Sequence, residues 1–243
     1  MNLEVIFFDI DDTLYASSDF AGRARERAVE AMLRHGLRAA AEAVLAELAE
    51  VVTEFGSNDD RHFDRLLDRL PAEATRGLNK ALLVTAGVIA YHETKWRELG
   101  IRPQARALLD DLRATTEVRV GVISAGITGK QMEKILRLGL TRYLDPGLVF
   151  ITDQQGIAKT NPKLYRRAVA AAGVAPERAM MVGDHPERDV HSAHQAGLRT
   201  VWHRGQGKYS GTPPASGPDH VIDAIGELRG VLQEHYGLLQ DLP

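Results

Sequence analysis

The sequence predicts a doubly wound, Rossmann-like α/β fold, with a parallel sheet interrupted by an all-helical insertion. Three observations carry this expectation. Short apolar runs that read as buried strands alternate with helical periods. Several of those runs end in polar residues, as expected where parallel strands deliver side chains to one sheet edge. Residues 16 to about 100, by contrast, are rich in Ala, Leu, Glu and Arg and contain no convincing strand. A chain of 243 residues, 44% apolar and 26% charged, suits one large domain or a domain with an insertion.

The first strand is read at Leu3–Phe8 and the second at Val118–Ile123. The third covers Leu148–Ile151 after a turn at Asp145-Pro146-Gly147, the fourth Ala179–Val182, and the fifth Thr200–Trp202. Helical periods at 103–113, 129–138, 161–172 and 188–196 lie between them. In the insertion the periods fall at 20–35, 38–55, 60–69 and within 74–98, and Pro103 opens the helix that returns the chain to the sheet. The predicted division is a core of 1–15 with 101–243 and a helical domain of 16–100. The Gly- and Pro-rich stretch 205–218 reads as a surface loop.

Bulk properties exclude several function classes. The net charge of −3 provides no basic surface for nucleic acid. There is no cysteine, hence no disulfide framework and no thiolate chemistry. No apolar stretch reaches membrane-spanning length, and acidic residues follow the N-terminus at once without a basic leader segment. The expectation is a cytoplasmic protein whose oligomeric state the sequence leaves open.

The strand ends carry the chemistry. The first delivers Asp9, Asp11, Asp12 and Thr13; the second Ser124 and its following turn; the third leads to Lys159; the fourth gives Asp184, with Asp189 five residues on. Acids crowded together repel one another unless a cation or a catalytic task holds them. Acids, a hydroxyl and a lysine along one edge form a site for a hard cation and an anionic group together. A phosphate ester fits that description. Mg²⁺ held by carboxylates neutralises its charge, and lysine adds to the effect. A serine hydroxyl and turn N–H groups can hold phosphate oxygens. One carboxylate can then attack phosphorus while a second moves protons.

Asp9-x-Asp11-x-Thr13, Ser124, Lys159 and Gly183-Asp184-x4-Asp189 resemble, in order and spacing, the four motifs of the haloacid dehalogenase superfamily. The resemblance implies the following roles. Asp9 is nucleophile and Mg²⁺ ligand. Asp11 is general acid/base, with its backbone carbonyl on the metal. Thr13 supports the loop and, with Ser124 and Ala125, lines the phosphoryl site. Lys159 balances charge. Asp184 is a metal ligand, and Asp189 supports the metal directly or through water. The helical insertion becomes a cap of the first type. An acid at position 11 favours phosphatase over dehalogenase, because halide leaves without a proton. The implied function is hydrolysis of a small phosphorylated metabolite through an aspartyl-phosphate. Within the family, Asp11-Asp12-Thr13-Leu14-Tyr15, Phe55-Gly56-Ser57-Asn58, Val88-Ile89-Ala90-Tyr91-His92 and Lys134-Ile135-Leu136-Arg137-Leu138-Gly139-Leu140 resemble archaeal-type Mg²⁺-dependent phosphatases of unassigned substrate.

Two positions depart from the pattern. Ala125 stands where the family often has Asn or Asp, leaving the backbone N–H groups of Ala125 and Gly126 for phosphate. Thr160 follows Lys159 in place of Pro, yet Pro162 and Tyr165 keep the spacing and favour Lys159 over Lys163. Plainer readings exist for single residues. A calcium loop starting at Asp9 would need Gly and Glu where Leu14 and Phe20 stand. Alone, Ser124 is a turn residue, Lys159 a surface lysine, Asp184 a helix cap and Asp189 a first-turn acid. His191 and His194 share a helix face that points largely to solvent, which disfavours zinc. His185 lies at the mouth of the site. In the insertion, Asn58, His62, Tyr91, His92 and Lys95 are candidates to face substrate. Rival functions are phosphomutase-type transfer, dehalogenation and a non-catalytic phosphoprotein-binding module.

Overall fold

The computed structural model describes residues 2–205 and 209–240. The chain divides into two compact units, Met1–Ser17 with Gly100–Pro243, and Ser18–Leu99.

The first unit is built on six strands: β1 (Val5–Phe8), β2 (Arg119–Ser124), β3 (Leu144–Ile151), β4 (Ala179–Gly183), β5 (Arg199–His203) and β6 (His220–Ile222). They pair in the order β3-β2-β1-β4-β5-β6, and every pairing is parallel. The strand order reverses between β1 and β4, where open α/β sheets form a ligand crevice at the carboxyl ends.

All four β1 side chains are buried, which explains their unbroken apolar run. Val5 and Phe7 face a core shared with Phe150 and with Leu164, Tyr165, Ala168, Val169 and Ala172 of the helix Lys163–Ala172. The Phe7 and Phe150 rings meet edge to face at 6.3 Å. Gly121 pairs with Phe7, and a Cβ there would lie 2.6 Å from the Phe7 ring and 2.7 Å from the Leu148 carbonyl. The close approach of β2 to both neighbours therefore requires glycine. Truncating Phe7 would cost about 3–5 kcal/mol, the usual range for a buried aromatic.

Four elements of the first unit differ from the sequence expectation. The predicted turn at 145–147 lies inside β3. Val120 pairs with Leu144 and Val122 with Val149, so two steps on β2 face five on β3. The Gly147 N–H donates to Asp145 Oδ1 at 2.9 Å, so the turn chemistry operates as a bulge within the strand. The predicted helix 188–196 is a π-turn over Pro186–His191 followed by Ser192–Gln195. β6 and the helix Leu228–Tyr236 were not anticipated; a three-residue edge strand carries too little pattern to read. Part of the loop read at 205–218, residues 206–208, lies outside the described residues.

The second unit is helical. Its main helices are Ala41–Phe55, His62–Arg69 and Lys80–Glu98, together with most of Ser17–Arg34. Val29, Met32, Val44, Leu48, Leu66, Leu67 and Leu83 form its core. A Cβ at Gly87 would fall 2.3 Å from Met32 Cε, so glycine there lets two helices approach. The period read over 74–98 is split into Ala72–Thr75 and Lys80–Glu98. Gly77 takes φ +74°, and Asn79 Oδ1 accepts the Ala81 N–H at 3.0 Å, capping the second helix. Among the described residues no helix is long and apolar enough to cross a membrane.

Candidate active site

Asp9 follows β1 directly, and its N–H continues the sheet by donating to the Val182 carbonyl of β4 at 2.9 Å. The chain then turns sharply. Leu14 N–H donates to the Ile10 carbonyl at 3.1 Å, and Asp12 sits in the left-handed region at φ +56°. Aspartate tolerates that region better than most residues. The buried His203 ring, at the end of β5, hydrogen-bonds the Asp12 backbone. Asp12, which the sequence left without a role, is thus the hinge between Asp9 and Thr13.

Lys159 Nζ lies 2.7 Å from Asp9 Oδ1 and also pairs with Asp189 Oδ1, and all three residues are buried. Asp189 neither caps a helix nor faces water. The π-turn directs it back under β4, where its Oδ2 accepts the His185 N–H at 3.0 Å. Gly183 makes room, since a Cβ there would lie 2.3 Å from Asp189 Oδ2. His185, not Asp184, occupies the helix N-cap, its side chain accepting the Arg188 N–H at 3.3 Å. Asp184 is held through its carbonyl, which accepts the Trp202 indole N–H at 3.0 Å.

Charge is unevenly balanced across this cluster. Burial pushes the Asp9 carboxyl up to about 7, with Lys159 opposing it. Burial, then the Asp9 and Asp189 charges, push Asp184 up to about 8. Burial also works against the Lys159 charge, but Asp189 and Asp9 outweigh it and raise its pKa. One carboxylate oxygen from each of Asp9, Asp184 and Asp189 falls within 4.8 Å of the others. Three hard oxygen donors with two carboxyls short of positive charge suit a cation such as Mg²⁺.

Asp11 stands in different surroundings. Lys134 Nζ donates to both of its oxygens, at 2.6 and 2.7 Å, Gln131 Nε2 donates to Oδ2 at 3.1 Å, and the Tyr15 hydroxyl donates to Oδ1. Burial alone would raise the Asp11 pKa, but Lys134 and these hydrogen bonds bring it below the usual value. Thr13 Oγ1 and Ser124 Oγ are buried with no protein partner. Two orphaned hydroxyls beside the acids leave donors for an anion. The Gly126 N–H, expected to bind phosphate, donates instead to Thr152 Oγ1 at 3.0 Å. The Ala125 carbonyl is also engaged, by Gln131 Nε2 at 2.7 Å. Thr152, directly after β3, takes up that amide, which leaves Ser124 and Ala125 as the turn's donors.

The fold therefore places Asp9, Lys159, Asp184 and Asp189 in one cluster, and Asp11 with Lys134, Gln131 and Tyr15 in another. Gln131, Lys134, Thr152, Trp202 and His203 were not singled out as site residues. Gln131 and Lys134 had one legible signal, polar residues three apart on a single helical face. His191 is half-buried, not largely solvated; its ring nitrogens contact Ser216 Oγ at 2.7 Å and Gln195 Nε2 at 2.8 Å. The His185 ring stacks on Tyr209 at 4.2 Å. In the helical unit, Tyr91 packs against Phe20, Phe63 and His92, and His62 Nε2 contacts the Gly56 carbonyl at 2.8 Å.

Parallel sheet, switch-point carboxylates and buried lysine define a class, and the sequence matches it. The family profile described as haloacid dehalogenase-like hydrolase covers residues 3–197, and the chain belongs to that family. Among curated relatives, the glyceraldehyde 3-phosphate phosphatase of Methanopyrus kandleri is 39% identical over 237 residues, covering 96% of this chain and 98% of the relative. The glyceraldehyde 3-phosphate phosphatase of Pyrococcus furiosus is 41% identical over 238 residues, covering 97% and 95%. The crystal structure of a HAD phosphatase from Thermococcus onnurineus superposes with a TM-score of 0.65 at 23% identity, covering 95% of this chain and 98% of that one, and bears on the fold.

Proposed function

We propose that the chain is a Mg²⁺-dependent phosphatase that hydrolyses a small phosphomonoester in two steps, with glyceraldehyde 3-phosphate as the first substrate to test. The observation that carries this reading is the buried Asp9–Lys159 pair beside Asp184 and Asp189. An Asp9 oxygen attacks phosphorus, the bond to the leaving oxygen breaks, and an aspartyl-phosphate forms. Lys159 holds the Asp9 carboxylate in place and offsets charge as the phosphoryl group approaches. Thr13, Ser124 and the Ala125 N–H line the phosphoryl pocket. With the phosphate dianion beside it opposing the Lys134 charge, Asp11 takes up a proton, hands it to the leaving oxygen, then takes one from the water that attacks phosphorus and regenerates Asp9.

Mg²⁺ on Asp9, Asp184 and the Asp11 backbone carbonyl, with Asp189 beside it, would neutralise phosphoryl charge that otherwise repels the nucleophile. The donor set supports this, being all oxygen and too acidic for Lys159 alone to balance. By its place in the chain, between β1 and β2, the helical unit corresponds to the insertion that the family resemblance reads as a cap. An acid at position 11 serves an alkoxide leaving group and is superfluous for halide.

The test is phosphate release from glyceraldehyde 3-phosphate and a panel of sugar phosphates and nucleotides, with Mg²⁺ and with EDTA. Mg²⁺-dependent release that Asp9→Asn abolishes is the expected result. Activity retained in Asp9→Asn, or no release from any phosphate ester, overturns the reading.

A further inference from the structure

Asp11 makes more polar side-chain contacts than a mobile acid/base would need. Lys134 Nζ spans both carboxylate oxygens, and Gln131 and Tyr15 add one donor each. Lys134 and Gln131 come from one helix, Thr128–Arg137, and lie one turn apart on the same face. Gln131 is almost wholly buried and bridges Asp11 to the Ala125 carbonyl of the phosphoryl-binding turn. Gly126 is shaped around it, since at φ +143° a Cβ would lie 2.6 Å from Gln131 Nε2. Lys134 Nζ also lies 5.7 Å from the Tyr15 ring centre, a further contact on its charge.

We infer that Lys134, assisted by Gln131 and Tyr15, is the positioning residue that fixes the Asp11 carboxylate relative to the Ser124–Ala125 turn, and so sets proton delivery to the leaving group. The inference rests on the proposed phosphatase reading and assigns a part to residues that do not touch the reacting atoms. A displaced acid slows the expulsion of a poor leaving group and matters little for a good one, because the latter departs without a proton. A lysine that merely fastens the helix to the loop would affect all substrates alike.

The experiment compares kcat and KM for p-nitrophenyl phosphate and for the alkyl phosphate that the wild type turns over fastest. For Lys134→Met we expect kcat/KM, which covers only the steps through leaving-group departure, to fall about a hundredfold on the alkyl phosphate, the low end for loss of acid–base catalysis, and less than about fivefold on p-nitrophenyl phosphate. kcat should fall on both substrates, because Asp11 also activates the water of the shared second step, so the leaving-group split is read in kcat/KM. Lys134→Arg should regain most of the loss, and Lys134→Met should add nothing in an Asp11→Asn background. Should Lys134→Met fail to fold, Tyr15→Phe, which removes one oxygen, carries the same comparison. Equal losses in kcat/KM on both substrates, or no loss on the alkyl phosphate, overturn the inference. Asp9→Asn, run in parallel, reports separately on the phosphatase reading.

Discussion

Lys159 Nζ and Asp9 Oδ1 meet at 2.7 Å with both side chains almost wholly out of solvent. An ion pair so placed gains from low dielectric only while both partners are present, and either alone is an uncompensated buried charge. The pair joins residues 150 positions apart, tying the end of β1 to the loop before the helix Lys163–Ala172.

Lys159→Met should therefore damage stability and activity together. Removing one partner of a buried pair costs about 3–5 kcal/mol, and here two carboxylates, Asp9 and Asp189, lose their cation. Urea unfolding should show the loss. A midpoint within error of wild type would mean that the ion pair does not hold the site.

Ser124→Ala should separate the two properties in the opposite sense. The Ser124 hydroxyl is buried with no partner, a state that costs about 1–3 kcal/mol. Removing it should leave stability unchanged or higher while phosphate release weakens. Thermal melts beside KM test this, and a destabilised variant with normal KM would contradict a phosphoryl-binding role.

Gly183→Ala should act through Asp189. The new methyl would occupy the place of the Asp189 carboxylate, and overpacking of this kind typically costs about 1–3 kcal/mol. Mg²⁺ affinity, followed by titration calorimetry, should fall with stability. Unaltered affinity would show that Asp189 has no part in cation binding.

The pH dependence of the metal-free protein follows from Asp184. Its carboxyl is raised to about 8 from an ordinary 3.8, so above pH 4 the unfolded chain gives up this proton more readily than the folded one. That contribution to stability is present at low pH and is lost as pH rises through about 8. Asp9, raised to about 7, acts in the same direction. Asp11 acts oppositely, but its contribution is lost only as pH falls below the ordinary carboxyl range. The lowered His185, His203 and His220 favour the folded state as pH rises, an effect complete soon above their ordinary 6.5. With EDTA, melting temperature should decline between about pH 7 and 8.5, and Mg²⁺ should reverse the decline because it needs deprotonated ligands. Asp184→Asn should flatten the slope, and a rising melting temperature in EDTA over that range would refute the assignment.

The sheet and its acids were legible because their signals are local. β1 and β4 are buried on both faces and so read as unbroken apolar runs, and Asp9 and Asp184 follow them directly. The contacts of Lys134 were not legible, since its partner lies 123 residues away and a polar residue on a helix face looks the same whether solvated or paired. The bulge in β3 was hidden by genuine turn residues, because Asp145 and Gly147 make the same local hydrogen bond in a bulge as in a loop. The engagement of the Gly126 amide depends on Thr152, a residue of ordinary appearance beyond the next strand.

β1 occupies the middle of the sheet, yet its partner β4 is made about 170 residues later. At synthesis rates of about 5–20 residues per second, the strand that carries Asp9 waits roughly 10–35 seconds for its neighbour. During that interval the β4-facing edge of an apolar strand stays unpaired even once β2 has joined the other edge, which is a hazard for aggregation and a natural point for chaperone capture. The acids at its end cannot meet Lys159, Asp184 and Asp189 until nearly the whole sheet has been synthesised. Catalytic competence in this protein is accordingly a late event in the life of the nascent chain, and shortened products that stop before β4 are expected to be inert as well as poorly folded.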